Sequence, residues 1–250
     1  MQTEIEYCLC LPTEQQKAFA MHVTQLFPQA SSSHTQDLLS IYYDTPELHL
    51  ARQGLGLRLR RQGDTWVQTV KFVPATTVMA RFDKVALWVQ TVKFVPATTS
   101  SSSLDNDAEA SSRGLHTRVE IEHVTATQAL ELQHIEHAPM RDFLTSASIA
   151  PVLQPVFTTR IQRTQWHIPC PKNGMAELAL DIGTIECNTH TMPVSEVEIE
   201  LKQGALEALL PIVQTLQQEL ALSPQPYNKA ERGYRLMLQT LGTSAQHGAA

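Results

Sequence analysis

The stretch GLGLRLRRQGDTWVQTVKF, residues 54–72, reads as two alternating strands joined by a turn at residues 62–64. Successive side chains of a strand point to opposite faces. The first strand therefore presents Arg58 and Arg60 on one face and leucines on the other, and Lys71 on the second strand is flanked by apolar neighbours. This stretch predicts a hairpin with one basic and one apolar face.

Similar strands recur along the chain, and the helices between them do not form the strand–helix alternation of a parallel sheet. Predicted strands cover residues 4–11, 39–43, 54–72 as a hairpin, 115–123, 157–168, 176–187 and 195–204. Predicted helices cover residues 13–27, 125–147, 206–222 and 229–241. The pattern predicts an α+β protein built on a closed antiparallel β-barrel that is decorated by helices.

Most of the predicted strands carry charges on one face and apolar residues on the other. A half-solvated sheet would explain any single strand, but the apolar faces need covering, and the amphipathic helices can cover them. If the sheet closes, the charged faces line its interior. These charges belong to Glu4, Glu6, Arg58, Arg60, Lys71, Arg118, Glu120, Glu122, Asp181, Glu196, Glu198 and Glu200, with the thiol of Cys8 beside the first two.

Such an interior makes a chemical prediction. Two like charges about 4 Å apart repel by roughly 4 kcal/mol at an effective dielectric constant near 20. Converging carboxylates therefore favour a divalent cation with oxygen ligands, and clustered arginine and lysine favour an anion. A cation that bridges carboxylates to substrate phosphates satisfies both requirements, so the pattern predicts metal-dependent polyphosphate chemistry.

Composition narrows the function classes. The 250 residues are 42% hydrophobic and 18% charged, which is typical of a globular protein. The formal net charge of −6 argues against a broad nucleic-acid-binding surface. No apolar run has the length of a membrane span, and MQTEIEYCLC at the start does not resemble a signal peptide. We therefore expect a cytoplasmic protein without a nucleic-acid or membrane partner.

The cysteines and histidines predict no metal site of their own. Cys8, Cys10, Cys170 and Cys187 form no CxxC pair, and no spaced histidine pair accompanies them. Without a secretory signal, reduced cysteines are expected. The ten histidines are scattered and are interpreted as structural or surface residues.

An ordered set of motifs runs from residue 2 to about residue 238. EIEYC (residues 4–8) resembles the ExExK signature of the CYTH superfamily, the triphosphate tunnel metalloenzymes. The segments YYDTP, RLR and TVK are similar to further motifs of that family. GLHTRVEIEH, QPVFTTRIQRTQWHI, LALDIGTIE, SEVEIELKQG and NKAERGYRL follow in the family's order. The chain most resembles the bacterial inorganic triphosphatases.

The resemblance implies an eight-stranded antiparallel barrel that forms a triphosphate tunnel. It implies a single domain over residues 1–240, followed by a flexible tail over 241–250. Within this domain, a duplicated segment and a polar loop lie at about 78–113. The residues it implies as binding triphosphate oxygens are Arg58, Arg60, Lys71, Arg163 and Lys229. The residues it implies as binding Mg²⁺ or Mn²⁺ and positioning water are Glu4, Glu6, Asp181, Glu196 and Glu198.

The resemblance also implies an activity. Metal-assisted hydrolysis of inorganic triphosphate would depend most directly on Glu4, Glu6, Glu198, Arg58 and Arg60, with a monomer or homodimer acting on a small phosphorylated substrate. Two alternatives stay open. The tunnel could take an organic triphosphate, as a thiamine triphosphatase or an adenylate cyclase, or the chain could be a catalytically weakened polyphosphate-binding module.

Two departures from the family's pattern matter. Cys8 stands where the ExExK signature has lysine, which is the reason for the binding-module alternative. The segment WVQTVKFVPATT occurs twice, at residues 66–77 and 88–99. The first copy follows its turn directly and pairs back with little loop entropy, so the sequence favours Lys71 over Lys93 as the tunnel lysine.

Overall fold

The computed structural model describes the backbone of residues 1–72 and 113–247, with side chains through residue 240. Most of the duplicated segment, including Lys93, and the polar loop lie outside the described residues. The strands are β1 (Gln2–Cys10), β2 (His34–Asp44), β3 (Leu55–Gln62), β4 (Thr65–Phe72), β5 (Leu115–Thr125), β6 (Gln154–Cys170), β7 (Gly174–Cys187), β8 (His190–Gln203) and the short β9 (Ser223–Pro224).

The sheet closes on itself. Its first eight strands pair in the order β1–β5–β4–β3–β2–β6–β7–β8, and β8 pairs with β1 to complete the ring. Every pairing is antiparallel. Strand β9 pairs with the end of β1 beyond the residues that face β5. The predicted eight-stranded antiparallel barrel with peripheral helices is confirmed.

The helices lie between or after the strands of the barrel. They are α1 (Phe19–Leu26), α2 (His49–Arg52), α3 (Ala138–Leu144), α4 (Leu210–Glu219) and α5 (Lys229–His247). Short 3-10 helices cover Thr13–Ala18, Leu132–His134, Ala150–Val152 and Leu206–Ala208. Among the described residues, no helix has the length and apolar character needed to cross a membrane.

Two helix boundaries differ from the sequence prediction. The helix predicted over residues 125–147 forms only as Leu132–His134 and Ala138–Leu144. Its second piece begins at Ala138 and has Pro139 as its second residue, and proline favours the first turn of a helix over an interior position. Helix α5 continues to His247, past the predicted end at Leu241. The flexible tail over 241–250 stays a prediction.

Helices cover the outward apolar faces of the strands. Leu9 of β1 and Ile199 of β8 are fully buried in one cluster with Phe19 of α1 and Leu216 of α4. A second cluster joins β2, β6, β7 and β8 to α5, and a third joins β3, β4 and β5 to α2 and α3. Burying an aliphatic or aromatic side chain of this size stabilises a fold by about 1.5–3 kcal/mol. The apolar core therefore lies mostly outside the barrel wall. The second cluster is the exception, because Phe157 and Ile185 share the strand faces of Arg163 and Asp181, and α5 packs on the inner face there.

Aromatic residues near the predicted motifs belong to this core. The ring of Tyr42 stacks on Phe157 with centroids 4.5 Å apart, and Tyr234 of α5 meets Phe157 edge-on at 5.2 Å. Trp166 is buried and meets Phe19 edge-on at 6.1 Å. These rings therefore serve packing.

Asp44, in the YYDTP segment, ties three elements together. Its Oδ1 accepts the backbone N–H groups of Thr45 at 2.7 Å and Leu50 at 2.9 Å, and its Oδ2 accepts that of Ala51 at 2.9 Å. Oδ2 also accepts the Tyr234 hydroxyl at 3.0 Å. The fully buried carboxylate thus joins the end of β2 to α2 and α5, because each acceptor bond satisfies an otherwise unpaired donor.

Gly183 lies where β7 passes closest to β6. A Cβ atom placed there would be 1.9 Å from the carbonyl oxygen of Arg160 and 2.9 Å from its carbonyl carbon. Both contacts are with backbone, which cannot rotate away. Gly56 on β3 is the matched case, because its nearest neighbour would be the Lys71 carbonyl oxygen at 3.9 Å, an ordinary contact.

We predict that Gly183→Ala destabilises the protein by about 3 kcal/mol, the upper part of the usual range for overpacking. At ~2–4 °C per kcal/mol for a chain of this size, the melting temperature should fall by about 6–12 °C. Gly56→Ala should melt within about 2 °C of the parent. Thermal unfolding followed by circular dichroism measures both variants, and equal melting temperatures would contradict the close approach at Gly183.

Candidate active site inside the barrel

Cross-strand register assembles the charged residues of the barrel interior. Arg163 of β6 lies opposite Asp181 of β7, and Asp181 lies opposite Glu196 of β8. On the next strand pair, Glu198 of β8 lies opposite Cys8 of β1. Directly paired residues of a sheet point to the same face, so these side chains converge in the interior.

One half of the interior centres on Asp181. Arg163 donates to both of its oxygens, from Nε at 2.7 Å and from Nη2 at 2.6 Å, and also contacts Glu198 closely. The Lys229 ammonium lies 2.6 Å from Asp181 Oδ2 and 2.6 Å from Glu198 Oε1, and it contacts Glu196. Two basic side chains therefore contact three carboxylates, which leaves one negative charge for a further base.

Helix α5 supplies two of the basic residues of this half. The Asn228 side chain accepts the Glu231 N–H at 3.1 Å, and the Glu231 carboxylate accepts the Asn228 N–H at 2.9 Å. This reciprocal pair is a capping box and begins the helix at Lys229. Arg232 follows three residues later on the same helix face and contacts Glu196 closely. The cap therefore aims two cations into the barrel.

The other half of the interior is built from β1, β3, β4 and β5. Lys71 donates to both oxygens of Glu4, at 2.7 and 2.9 Å, and lies 3.2 Å from Glu120. Arg118 contacts Glu6 closely and lies 3.5 Å from Glu4. These cross-strand contacts place the lysine of the first repeat copy inside the barrel.

Arg58 and Arg60 are neighbours on β3 but have different partners. Arg58 donates to Thr69 at 3.0 Å and lies 3.6 Å from Glu120. Arg60 donates from Nε to Ser40 at 3.1 Å, and no carboxylate of the described residues lies within ion-pairing distance of it. Burial, together with the charges of Arg58 and Arg163, lowers the pKa of Arg60 to about 10. Arg60 is thus a partly buried cation whose surroundings favour an added anion.

The two glutamates of the EIEYC segment differ in charge state. Burial opposes ionisation of Glu4, but Lys71 and Arg118 lower its pKa to about 2. Burial and the Glu4 and Glu198 carboxylates raise the pKa of Glu6 to about 8, although Arg118 contacts it, because that guanidinium is shared with Glu4. Negative charge is therefore in excess around Glu6.

Cys8 lies among carboxylates. Its thiol is buried, and its Sγ and one oxygen from each of Glu196 and Glu198 lie within 4.8 Å of one another. Burial and the charges of these two glutamates raise the pKa of the Cys8 thiol well above its usual value. The thiol therefore stays neutral, and Lys229 supplies the positive charge beside these carboxylates.

The chemistry of this donor set fits a hard divalent cation. Carboxylate oxygens are the ligands that Mg²⁺ and Mn²⁺ prefer, and five of them converge here from three strands. After burial, the Glu4 and Glu198 charges are the next causes of the raised pKa of Glu6, so negative charge that a cation would balance lies beside it. The carboxylates concerned are Glu4, Glu6, Asp181, Glu196 and Glu198.

All of the site residues expected from the sequence come together in this interior. The bases among them are Arg58, Arg60, Lys71, Arg163 and Lys229. Glu200, on the same strand face as Glu198, pairs with Lys202 at 3.0 Å. Glu120 pairs with both Arg58 and Lys71. The chemical roles of these residues stay predictions.

Sequence reasoning missed two bases. Arg118 shares a strand face with Glu120, but we gave it no role, although alternation places it inside the barrel. Arg232 was missed because it lies on a helix, and the sequence does not show which face of that helix points into the barrel. Its signal was the spacing from Lys229 together with the capping box of residues 228–231.

Comparisons with known proteins agree with this fold. An inorganic triphosphatase from Haemophilus influenzae is 29% identical over 202 residues, which cover 78% of this chain and 44% of that protein. The chain thus spans less than half the length of the curated relative. A protein from Hippeastrum, described as a candidate adenylyl cyclase with a dominant triphosphatase activity, has a TM-score of 0.53 and 13% identity, covering 93% of this chain and 95% of its own.

A second solved structure, a candidate adenylate cyclase from Bacillus halodurans, has a TM-score of 0.52 and 18% identity, covering 93% of this chain and 98% of its own. At such identities the two structures show a shared fold alone. The family model of the CYTH domain matches residues 2–81 and 99–234, and the residues it passes over lie within the duplicated unit. Since this match extends over most of its length, the chain belongs to the CYTH domain family.

Proposed function

We propose that this protein hydrolyses inorganic triphosphate to pyrophosphate and phosphate in a metal-dependent reaction. The observation that carries the proposal is the interior in which Arg60 has no carboxylate partner among the described residues, while the neighbouring bases are held by carboxylates. The inorganic triphosphatase activity of the Haemophilus influenzae relative supports the same substrate class.

Substrate binding would require an exchange of partners. Lys71, Arg163 and Lys229 are each held by carboxylates in the described structure. For phosphate oxygens to take these bases, the carboxylates must lose their neutralising charges. A buried carboxylate without a partner is costly by several kcal/mol. Triphosphate and a divalent cation are therefore expected to bind together. The triphosphate would pair with the basic side chains, and the cation would neutralise the carboxylates that those side chains leave.

Glu4, Glu6, Asp181, Glu196 and Glu198 would hold the cation. When bound, Mg²⁺ or Mn²⁺ supplies Lewis-acid polarisation of phosphoryl oxygens. Arg60 and Arg58 would bind phosphate oxygens through paired N–H groups, while lysines act as point charges. Their charges would stabilise the negative charge that develops on the leaving phosphate. The buried carboxylates would orient the attacking water within the barrel.

The neutral thiol of Cys8 favours a second candidate function. A tunnel that lacks one ammonium could bind polyphosphate tightly and hydrolyse it slowly, as a polyphosphate-binding module would. Phosphate release from tripolyphosphate, ATP and thiamine triphosphate, each with Mg²⁺, Mn²⁺ or EDTA, separates these readings. Metal-dependent turnover of tripolyphosphate above the other two supports the proposal, whereas tight binding without turnover supports the module. Formation of cyclic AMP from ATP would instead indicate a cyclase.

Several features remain sequence-based predictions. These are the single domain over residues 1–240, the cytoplasmic location, the monomeric or homodimeric state, and the absence of a nucleic-acid partner.

Glu198→Gln should reduce metal-dependent hydrolysis by at least about 100-fold, the scale of losing one preorganised charged group at a reacting centre. The fold should survive, because Arg163 and Lys229 keep Asp181 as a partner. Glu186→Gln is the matched control, since Glu186 pairs with the exposed Arg160 at 3.2 Å outside the interior. Phosphate release with Mg²⁺ measures the effect, and parental rates in Glu198→Gln would exclude this carboxylate from the site.

Arg60→Gln should lower kcat/KM for tripolyphosphate by about 10–100-fold, because a hydrogen bond to a charged group contributes about 1.5–3 kcal/mol. Arg61→Gln serves as the control, because Arg61 is exposed and donates to the Gly63 carbonyl at 2.9 Å. Steady-state kinetics of both variants test the proposal. An equal loss in the two variants would mean that Arg60 has no particular role.

Cys8→Lys should raise kcat/KM for tripolyphosphate by about tenfold, because it adds an ammonium beside the expected phosphate path. Cys8→Met provides similar side-chain length without charge and should give no gain. The comparison uses folded variants at saturating Mg²⁺. If Cys8→Lys brings no improvement over Cys8→Met, Lys229 already supplies the charge that the missing motif lysine would provide.

A further inference from the structure

A cluster of two histidines and a glutamate lies on the outside of the barrel. His123 belongs to β5, Glu131 lies in the following loop, and His134 ends the 3-10 helix Leu132–His134. His123 Nε2 is 3.1 Å from Glu131 Oε2, and His134 Nδ1 is 2.9 Å from the same oxygen. Both rings thus converge on one carboxylate oxygen.

Strand alternation separates this cluster from the barrel interior. Glu122 accepts a hydrogen bond from the interior residue Thr69 at 3.2 Å, so the next residue, His123, points outward. The side chains of His123 and Glu131 are 32% and 20% exposed, and that of His134 is 51% exposed. The cluster is therefore reachable from solvent and is not part of the proposed active site.

Glu131 is held in place by buried partners. The side chain of Gln68, which is 2% exposed, accepts the Glu131 N–H at 2.8 Å and donates to the Glu131 carbonyl at 3.3 Å. The Glu131 Oε1 accepts the Ala126 N–H at 3.1 Å, which leaves Oε2 facing the two rings. Metal-binding carboxylates are commonly oriented by hydrogen bonds of this kind.

The spacing of the three atoms suits a tetrahedral ion. Zn²⁺ has bonds of about 2.0–2.2 Å to imidazole nitrogen and carboxylate oxygen. The edges of such a tetrahedron are about 3.3 Å, given those bond lengths. The two nitrogen–oxygen separations here are 3.1 and 2.9 Å, and all three atoms lie within 4.8 Å of one another. Small movements of the two imidazole rings would bring all three atoms to bonding distance from a single ion.

We propose that His123, Glu131 and His134 form a surface site for Zn²⁺ or a similar transition-metal ion, with water as the remaining ligand. Two imidazoles and one carboxylate favour such ions over Mg²⁺ or Ca²⁺. Binding replaces two hydrogen bonds by two metal–nitrogen bonds. Each neutral ring releases the proton of its binding nitrogen to solvent and takes up one from solvent on its other nitrogen. The bound ion would fasten residues 126–135 to β5.

The test is Zn²⁺ titration of the metal-free full chain by calorimetry, in excess Mg²⁺ to occupy the barrel carboxylates. His134→Asn and Glu131→Gln should each weaken the surface site by about 100-fold, the upper scale for losing one metal-positioning group. His167→Asn is the matched control, since His167 is 49% exposed and has a single acidic neighbour, Glu177, at 3.6 Å. Binding in the barrel survives in all three variants and is subtracted as a common background.

Co²⁺ gives an independent readout. Its visible absorption should show a tetrahedral, nitrogen-ligated spectrum in the parent and in His167→Asn that is lost in His134→Asn. Zn²⁺ should raise the melting temperatures of the parent and of His167→Asn more than that of His134→Asn. The proposal is overturned if His134→Asn binds Zn²⁺ as the parent does, or if excess Mg²⁺ abolishes the parental signal. His134 is exposed, so this variant decides the matter even if His123→Asn fails to fold.

Discussion

Mutual neutralisation of acids and bases inside a closed barrel is the constraint on which the rest of the structure depends. Asp181 and Glu196 are fully buried, and each would be costly without a cation beside it. Arg163, Lys229 and Arg232 supply those cations from β6 and α5. The charged face of every strand can therefore point inward, which leaves the apolar faces outside.

The inward charged faces and outward apolar faces explain the placement of most helices. An outward apolar face needs cover, and α1 and α4 provide it for β1, β6, β7 and β8. Helix α5 packs instead on the inner face of the wall. Tyr234 packs against Phe157 there and donates to the Asp44 carboxylate, while Lys229 and Arg232 reach the charged part of the interior. Packing of one helix thus couples an apolar part of the inner face to the proposed active site.

The alternating strands carried enough information to predict the barrel and most of its interior. Arg58 and Glu198 could be placed from parity alone, since a strand offers only two faces. Arg232 could not, because the direction that a helix faces depends on what it packs against. The cluster of His123, Glu131 and His134 was likewise missed. Its residues are separated by a loop, and tertiary contacts such as those of Gln68 on β4 hold that loop against the barrel.

The sequence by itself determined which residues alternate, where the hairpin of β3 and β4 turns, and that acids and bases share strand faces. Local sterics and the two-residue period of a strand suffice for those features. Tertiary structure decided which acid meets which base and that Glu6 and Glu4 differ in their pKa. It also decided that no carboxylate in the described part of the chain pairs with Arg60. These depend on strand register and burial, because electrostatic energies are set by distance and local dielectric rather than by sequence neighbours.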